Sequence, residues 1–111
     1  MGLSTHVLDT TNGVPARGVA ITLTHEGAAW FEGVTNEDGR CPGLLGDRPL
    51  EVGQYSLTFA VADYFRTMGH VLPDPPFLDR VTIDFAVADA SAHYHVPLLV
   101  SPFGYSTYRG S

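Results

Sequence analysis

HYHVPLLV, residues 93–100, decides the fold and poses the functional question together. Side chains alternate across a strand. Tyr94, Val96, Leu98 and Val100 therefore share one apolar face, while His93, His95, Pro97 and Leu99 share the other. The first face suits a core. The second carries two imidazoles, which is unusual for a face opposite the core unless that face is covered as well. Pro97 brings no backbone N–H, so it fits at an edge-like position or where that N–H is not needed.

The same period of two recurs along the chain. LSTHVL (3–8), VAITLTHE (19–26), AAWFEGVT (28–35), QYSLTFAV (54–61), VTIDFAVA (81–88) and FGYSTYR (103–109) all read as strands. DTTNGVPARG (9–18) reads as a loop of turn formers, and NEDGR (36–40) as a tight turn marked by Asp-Gly. ADYFRTMG (62–69) breaks the period, with Tyr64 and Met68 four apart and Gly69 as a stop, and predicts one short helix. HVLPDPPFLD (70–79) holds three prolines and reads as a loop. Seven or eight short strands with turn signals at a spacing of about ten residues predict a single all-β domain over residues 1–111, an antiparallel β-sandwich.

Composition narrows the function. The chain of 111 residues carries twelve acidic residues against six basic ones, all arginine, for a formal charge of −6. That balance argues against a nucleic-acid backbone binder and against an anionic membrane surface. No apolar run approaches the roughly 20 residues of a membrane-spanning helix. MGLSTHVLDTT shows no secretory signal pattern. Cys41 is alone, so no intrachain disulfide forms and nothing points to an oxidising compartment. A cytoplasmic protein is expected.

In the first strand His6 shares a face with Ser4 and Leu8, and in the last Tyr108 shares one with Ser106. Three readings compete for His6 and His95. They are solvated or hydrogen-bonded surface histidines, or a metal pair of the His-x-His kind, or acid–base groups that titrate near neutral pH. Zinc needs a third ligand, and the remaining histidines and Cys41 stand in no recognisable spacing. Spacing alone does not raise acid–base chemistry above the surface reading. Arg40, after the Asp-Gly turn, is either a solvated turn residue or the planar anchor of an anionic or carbonyl-rich ligand. Cys41 reads as a small buried side chain, and Trp30, Phe31 and Phe59 as core aromatics. Glycine-rich phosphate loops and serine-elbow motifs are absent, which removes nucleotide and serine-hydrolase readings.

LSTHVLD (3–9), GRCPGLL (39–45), DYF (63–65) and above all HYHVPLLVSPFGYSTYRGS (93–111) resemble the 5-hydroxyisourate hydrolases, transthyretin-related enzymes of purine degradation. The likeness runs from residue 3 to the end, and YRGS is its most specific mark. It implies a transthyretin-like (prealbumin) sandwich of two four-stranded sheets with one short helix. It implies a homotetramer with active sites at the dimer–dimer interface, which would cover the histidine-bearing face. It implies hydrolysis of 5-hydroxyisourate to 2-oxo-4-hydroxy-4-carboxy-5-ureidoimidazoline, with no metal and no cofactor. By the same resemblance His6, Arg40 and His95 are catalytic, and Tyr108 and Ser111 join His6 and Arg40 in binding substrate. His93 receives no part. Transthyretin, the hormone carrier of this fold, lacks these histidines, the arginine and the YRGS ending. A non-catalytic carrier of a small aromatic ligand is accordingly the alternative. The proline-rich segment 70–79 does not align with the family pattern.

Overall fold

The computed structural model describes residues 2–110. Two four-stranded sheets face each other across one core. The strands are β1 (Gly2–Asp9), β2 (Val14–Pro15), β3 (Ala20–His25), β4 (Ala28–Val34), β5 (Gly53–Phe59), β6 (Val81–Val87), β7 (His93–Ser101) and β8 (Gly104–Thr107), with one helix, α1 (Val61–Thr67), between β5 and β6. One sheet runs β2-β1-β7-β8 and the other β4-β3-β5-β6. The alternating positions meet between them. Val7, Ile21, Leu23, Leu57, Phe59, Val81, Leu98 and Val100 are all at most 2% exposed. Burying each such side chain stabilises the fold by about 1.5–3 kcal/mol.

Three details differ from the expectation. The loop 9–18 contains the two-residue strand β2, which pairs with the end of β1 through Leu8 and Asp9. The helix occupies Val61–Thr67, so Met68 lies past its last turn and is exposed, while Tyr64 and Phe65 are buried. The sandwich is also not antiparallel throughout, because β1 and β7 run parallel over eight residue pairs, from Gly2↔His93 to Asp9↔Val100. A parallel pair needs a long crossover rather than a hairpin, and here the whole second sheet and α1 lie between the two strands in the chain. Segment 70–79 is free of helix and strand, and its Leu72 and Leu78 pack against the core. No helix among the described residues is long and apolar enough to cross a membrane.

The end of β1 is anchored by Asp9. Its carboxylate accepts the Tyr64 hydroxyl at 2.7 Å and the Asn12 side-chain amide at 2.6 Å, and the backbone N–H groups of Thr11 and Asn12 at 2.9 and 3.0 Å. Burial works against the charge, but these four donors outweigh it and hold the Asp9 carboxyl below its ordinary pKa of 3.8. The Tyr64 hydroxyl is pushed up, first by burial and then by its bond to Asp9. Asp9→Asn would turn an N–H₂ toward donors and is expected to cost about 2–4 kcal/mol in urea unfolding. Because the folded pKa is depressed, this stabilisation is complete above the unfolded carboxylate value and is lost as pH falls through the folded one. The parent's acid-unfolding curve should show this loss and the variant's should not; coincident acid limbs would exclude the assignment.

Candidate active site

Registry across the first sheet assembles the site. In the parallel pair Ser4 sits beside His95, His6 beside Pro97, and Leu8 beside Leu99. Antiparallel β8 adds Ser106 beside Leu99 and Thr107 beside Leu98. An isolated bridge between His95 and Gly110 keeps the same register, so Tyr108 falls opposite Pro97. Ladder bonds alternate, and Pro97 occupies a position whose N–H would have donated to Tyr108. Proline removes that donor. The Pro97 carbonyl instead accepts the Thr107 hydroxyl at 2.7 Å, and the chain at Tyr108 and Arg109 runs free of the ladder before Gly110 N–H donates to His95 O at 2.7 Å. The expected strand 103–109 is thus a shorter strand plus one isolated bridge.

Arg40 reaches the same sheet from the other side of β1. Asn36 builds the turn, with its Oδ1 accepting N–H from Asp38 and Arg40 at 2.9 and 3.1 Å and its backbone N–H donating to Arg40 O at 2.8 Å. Gly39 has φ +74, and a Cβ there would collide with Val7 O, so only glycine lets this turn press onto β1. Val7 N–H donates to Gly39 O at 2.8 Å, and His6 bridges to Arg40. In register, Arg40, His6, Pro97 and Tyr108 stand in one row, with Ser4, His95 and Gly110 in the row beside it. At about 4.8 Å per strand the row spans roughly 14 Å, wide enough for a small bicyclic ring.

His95 is half-buried. Its Nδ1 lies 2.7 Å from Ser4 Oγ, and the same Oγ lies 2.9 Å from His93 Nε2. Partial burial, and then the electrostatic influence of Arg40, His6 and His93, pull its pKa below the ordinary histidine value. A neutral imidazole is thereby available as a base near neutral pH. Arg40 is exposed and has no ion pair among the described residues. Its fork of donors is available to carbonyl or enolate-like oxygens. Tyr108 is 60% exposed. Arg109 turns to the opposite face, with its guanidinium 4.0 Å over the Tyr94 ring. Burial pushes the Cys41 thiol up, which fits a packing role. Among the described residues no three His, Cys, Asp or Glu side chains converge as metal ligands.

The register brings His6, Arg40, His95 and Tyr108 into neighbouring rows of one sheet, and Ser111 lies outside the described residues. Two neighbours were missed. Ser4 was visible on the His6 face by alternation, but its contact with His95 needs the parallel pairing. Gly110 carries no pattern of its own, yet a Cβ there would come within 2.7 Å of His95 Cδ2.

Known proteins resemble this chain along nearly its whole length. The chain is 56% identical to a 5-hydroxyisourate hydrolase of Ralstonia nicotianae over 98% of its own length and 97% of the relative's. It superposes on the 5-hydroxyisourate hydrolase structure from Klebsiella pneumoniae with a TM-score of 0.84 at 40% identity, covering 98% of both chains. An (S)-allantoin synthase crystal structure matches with a TM-score of 0.91 at 46% identity, over 99% of this chain but only 44% of that one. Sea bream transthyretin in complex with thyroxine matches with a TM-score of 0.84 at 28% identity, over 97% of this chain and 93% of that one. Residues 3–110 match the HIUase/Transthyretin family, and the chain belongs to it.

Proposed function

We infer that this chain hydrolyses 5-hydroxyisourate to 2-oxo-4-hydroxy-4-carboxy-5-ureidoimidazoline, a step of urate degradation, as one hydrolase domain in the cytoplasm. The observation that carries the reading is the row of Arg40, His6 and Tyr108 with His95 beside it. A ring amide attacked by water needs a base for the water and donors for the developing oxyanion. His95, with His6, takes the water's proton and passes it on. Arg40 binds the substrate's oxygens and stabilises the charge that forms on the attacked carbonyl. Tyr108 and Ser111 hold the ring. The carrier reading has the thyroxine-bound sea bream chain in its favour, but a carrier has no use for a depressed imidazole beside an unpaired guanidinium. In the test, 5-hydroxyisourate made in place by a urate oxidase disappears faster when the protein is added, after subtraction of the uncatalysed decay. A carrier leaves that decay rate unchanged.

The working form in this reading is a homotetramer with sites at its dimer–dimer interface. Every residue of edge strand β8 is exposed, Phe103 and Tyr105 are 63% and 48% exposed, and Leu8 and Leu99 are only partly covered. An unpaired edge beside an apolar face calls for a partner. Light scattering should report four times the 12.0 kDa chain. A stable monomer at micromolar concentration would count against both the assembly and a site that needs its cover.

A further inference from the structure

The Ser4 hydroxyl stands between two imidazoles, 2.7 Å from His95 Nδ1 and 2.9 Å from His93 Nε2. A serine hydroxyl has one hydrogen to give and two lone pairs with which to accept. It cannot donate to both neutral rings, so at least one ring donates to it. If both do, His95 carries its hydrogen on Nδ1; otherwise Ser4 donates to one ring and accepts from the other, in two arrangements. In one arrangement His95 donates from Nδ1, Ser4 donates to His93 Nε2, and His95 Nε2 keeps a bare lone pair. In the other, His93 donates to Ser4, Ser4 donates to His95 Nδ1, and His95 Nε2 carries the hydrogen and cannot serve as a base.

Charge chooses between them. The groups facing His95 are Arg40 from the turn after β4, His6 from β1 and His93 from its own strand, and none of them is an acid. Arg40 offers only donors. A bare Nε2 adds an acceptor to this donor-rich face, whereas an N–H would add one more donor. On its Cδ2 side the ring has Gly110 close by, where a Cβ would collide with it, and the Gly110 N–H donates to the His95 backbone carbonyl. With Nδ1 engaged, Nε2 is the nitrogen left for chemistry.

We propose that Ser4, backed by His93, is a positioning residue that holds His95 in the Nδ1–H tautomer and presents Nε2 as the base for the attacking water. The proposal deepens the hydrolase reading and rests on it for the reaction. As water attacks, its proton passes to Nε2, its oxygen bonds the amide carbon, and the carbonyl π pair moves onto oxygen. The Nδ1–H bond to Ser4 persists throughout and strengthens as His95 becomes cationic. When the intermediate collapses, the carbon–nitrogen bond breaks and the Nε2 proton goes to the departing ring nitrogen.

Nitrogen-15 NMR of the imidazoles reads the tautomer without turnover. In the parent, above its pKa, His95 is expected with Nδ1 protonated and Nε2 bare, and in Ser4→Ala the Nε2–H form becomes populated. In turnover of 5-hydroxyisourate Ser4→Ala should lower kcat about 10- to 100-fold with KM within about twofold, and should displace the acid limb of the pH–kcat profile. Ser4→Thr keeps the hydroxyl and should recover most of the loss. A parent His95 in the Nε2–H form, or a folded Ser4→Ala protein with the parent's kcat and acid limb, overturns the proposal. A parent with the Nδ1–H tautomer and no turnover would overturn the hydrolase reading and still support the Ser4 lock.

Discussion

His95→Asn is expected to lower kcat for 5-hydroxyisourate by about 10²- to 10⁴-fold, the range of a general base. Asparagine keeps an amide near Ser4 and fits the half-buried space beside Gly110, so the sheet survives the change. What it removes is the titrating ring. His93→Asn should cost much less, because His93 is exposed and reaches His95 only through Ser4. The pH dependence follows from the depressed His95 pKa. The neutral base is present above that value, so kcat in the parent should be flat through neutrality and fall as pH drops through a value below the ordinary histidine 6.5. Steady-state kinetics on folded, assembled variants checks both points. Equal losses at positions 93 and 95 would reassign the base.

Gly110→Ala should cost about 10²-fold in kcat while the sandwich stays intact. The added methyl would sit 2.7 Å from His95 Cδ2 and 3.2 Å from its Cβ, where carbon atoms prefer about 3.5–4.0 Å. Either the imidazole or the chain end must shift by about 1 Å, and a displacement of that size costs about 10²-fold when it moves a reacting group. Gly110 is outside the buried core, so the thermal midpoint should change little. Arg109→Gln is the control. Arg109 stacks on Tyr94, on the other face, so its loss should be milder than that of Tyr108→Phe or Gly110→Ala. Full activity in assembled Gly110→Ala would mean that the chain end does not hold the ring.

Much of this was legible from alternation. The core face of β7, the inward residues of β5 and β6 and the shared outer face of His6 and His95 follow from a period of two, which the pleat imposes wherever one side is buried. The Asp-Gly turn marked where Arg40 would stand, because Gly39 at φ +74 is a local requirement. Pairing partners are a different matter. Periodicity says which side a residue faces but not which strand lies beside it, so the parallel union of β1 with β7, and with it the Ser4–His95 contact, was hidden. Pro97 announced a missing N–H. That the loss frees Tyr108 and Arg109 from the ladder shows only once β8 is in register. The two-residue strand β2 is too short to carry a period. The roles of His6, Arg40, His95 and Tyr108 came from the family resemblance, since imidazoles on an outer strand face have no chemistry of their own until a neighbour supplies it.

The central claim is that this outer face turns substrate over rather than holding it. The most direct measurement counts equivalents of freshly generated 5-hydroxyisourate consumed per subunit, above the uncatalysed decay, with His95→Asn run beside the parent. The parent should consume many equivalents per subunit at a rate proportional to protein concentration, and the variant should stay close to the blank. Consumption that stops at one equivalent per subunit, or that never rises above the blank, would contradict it.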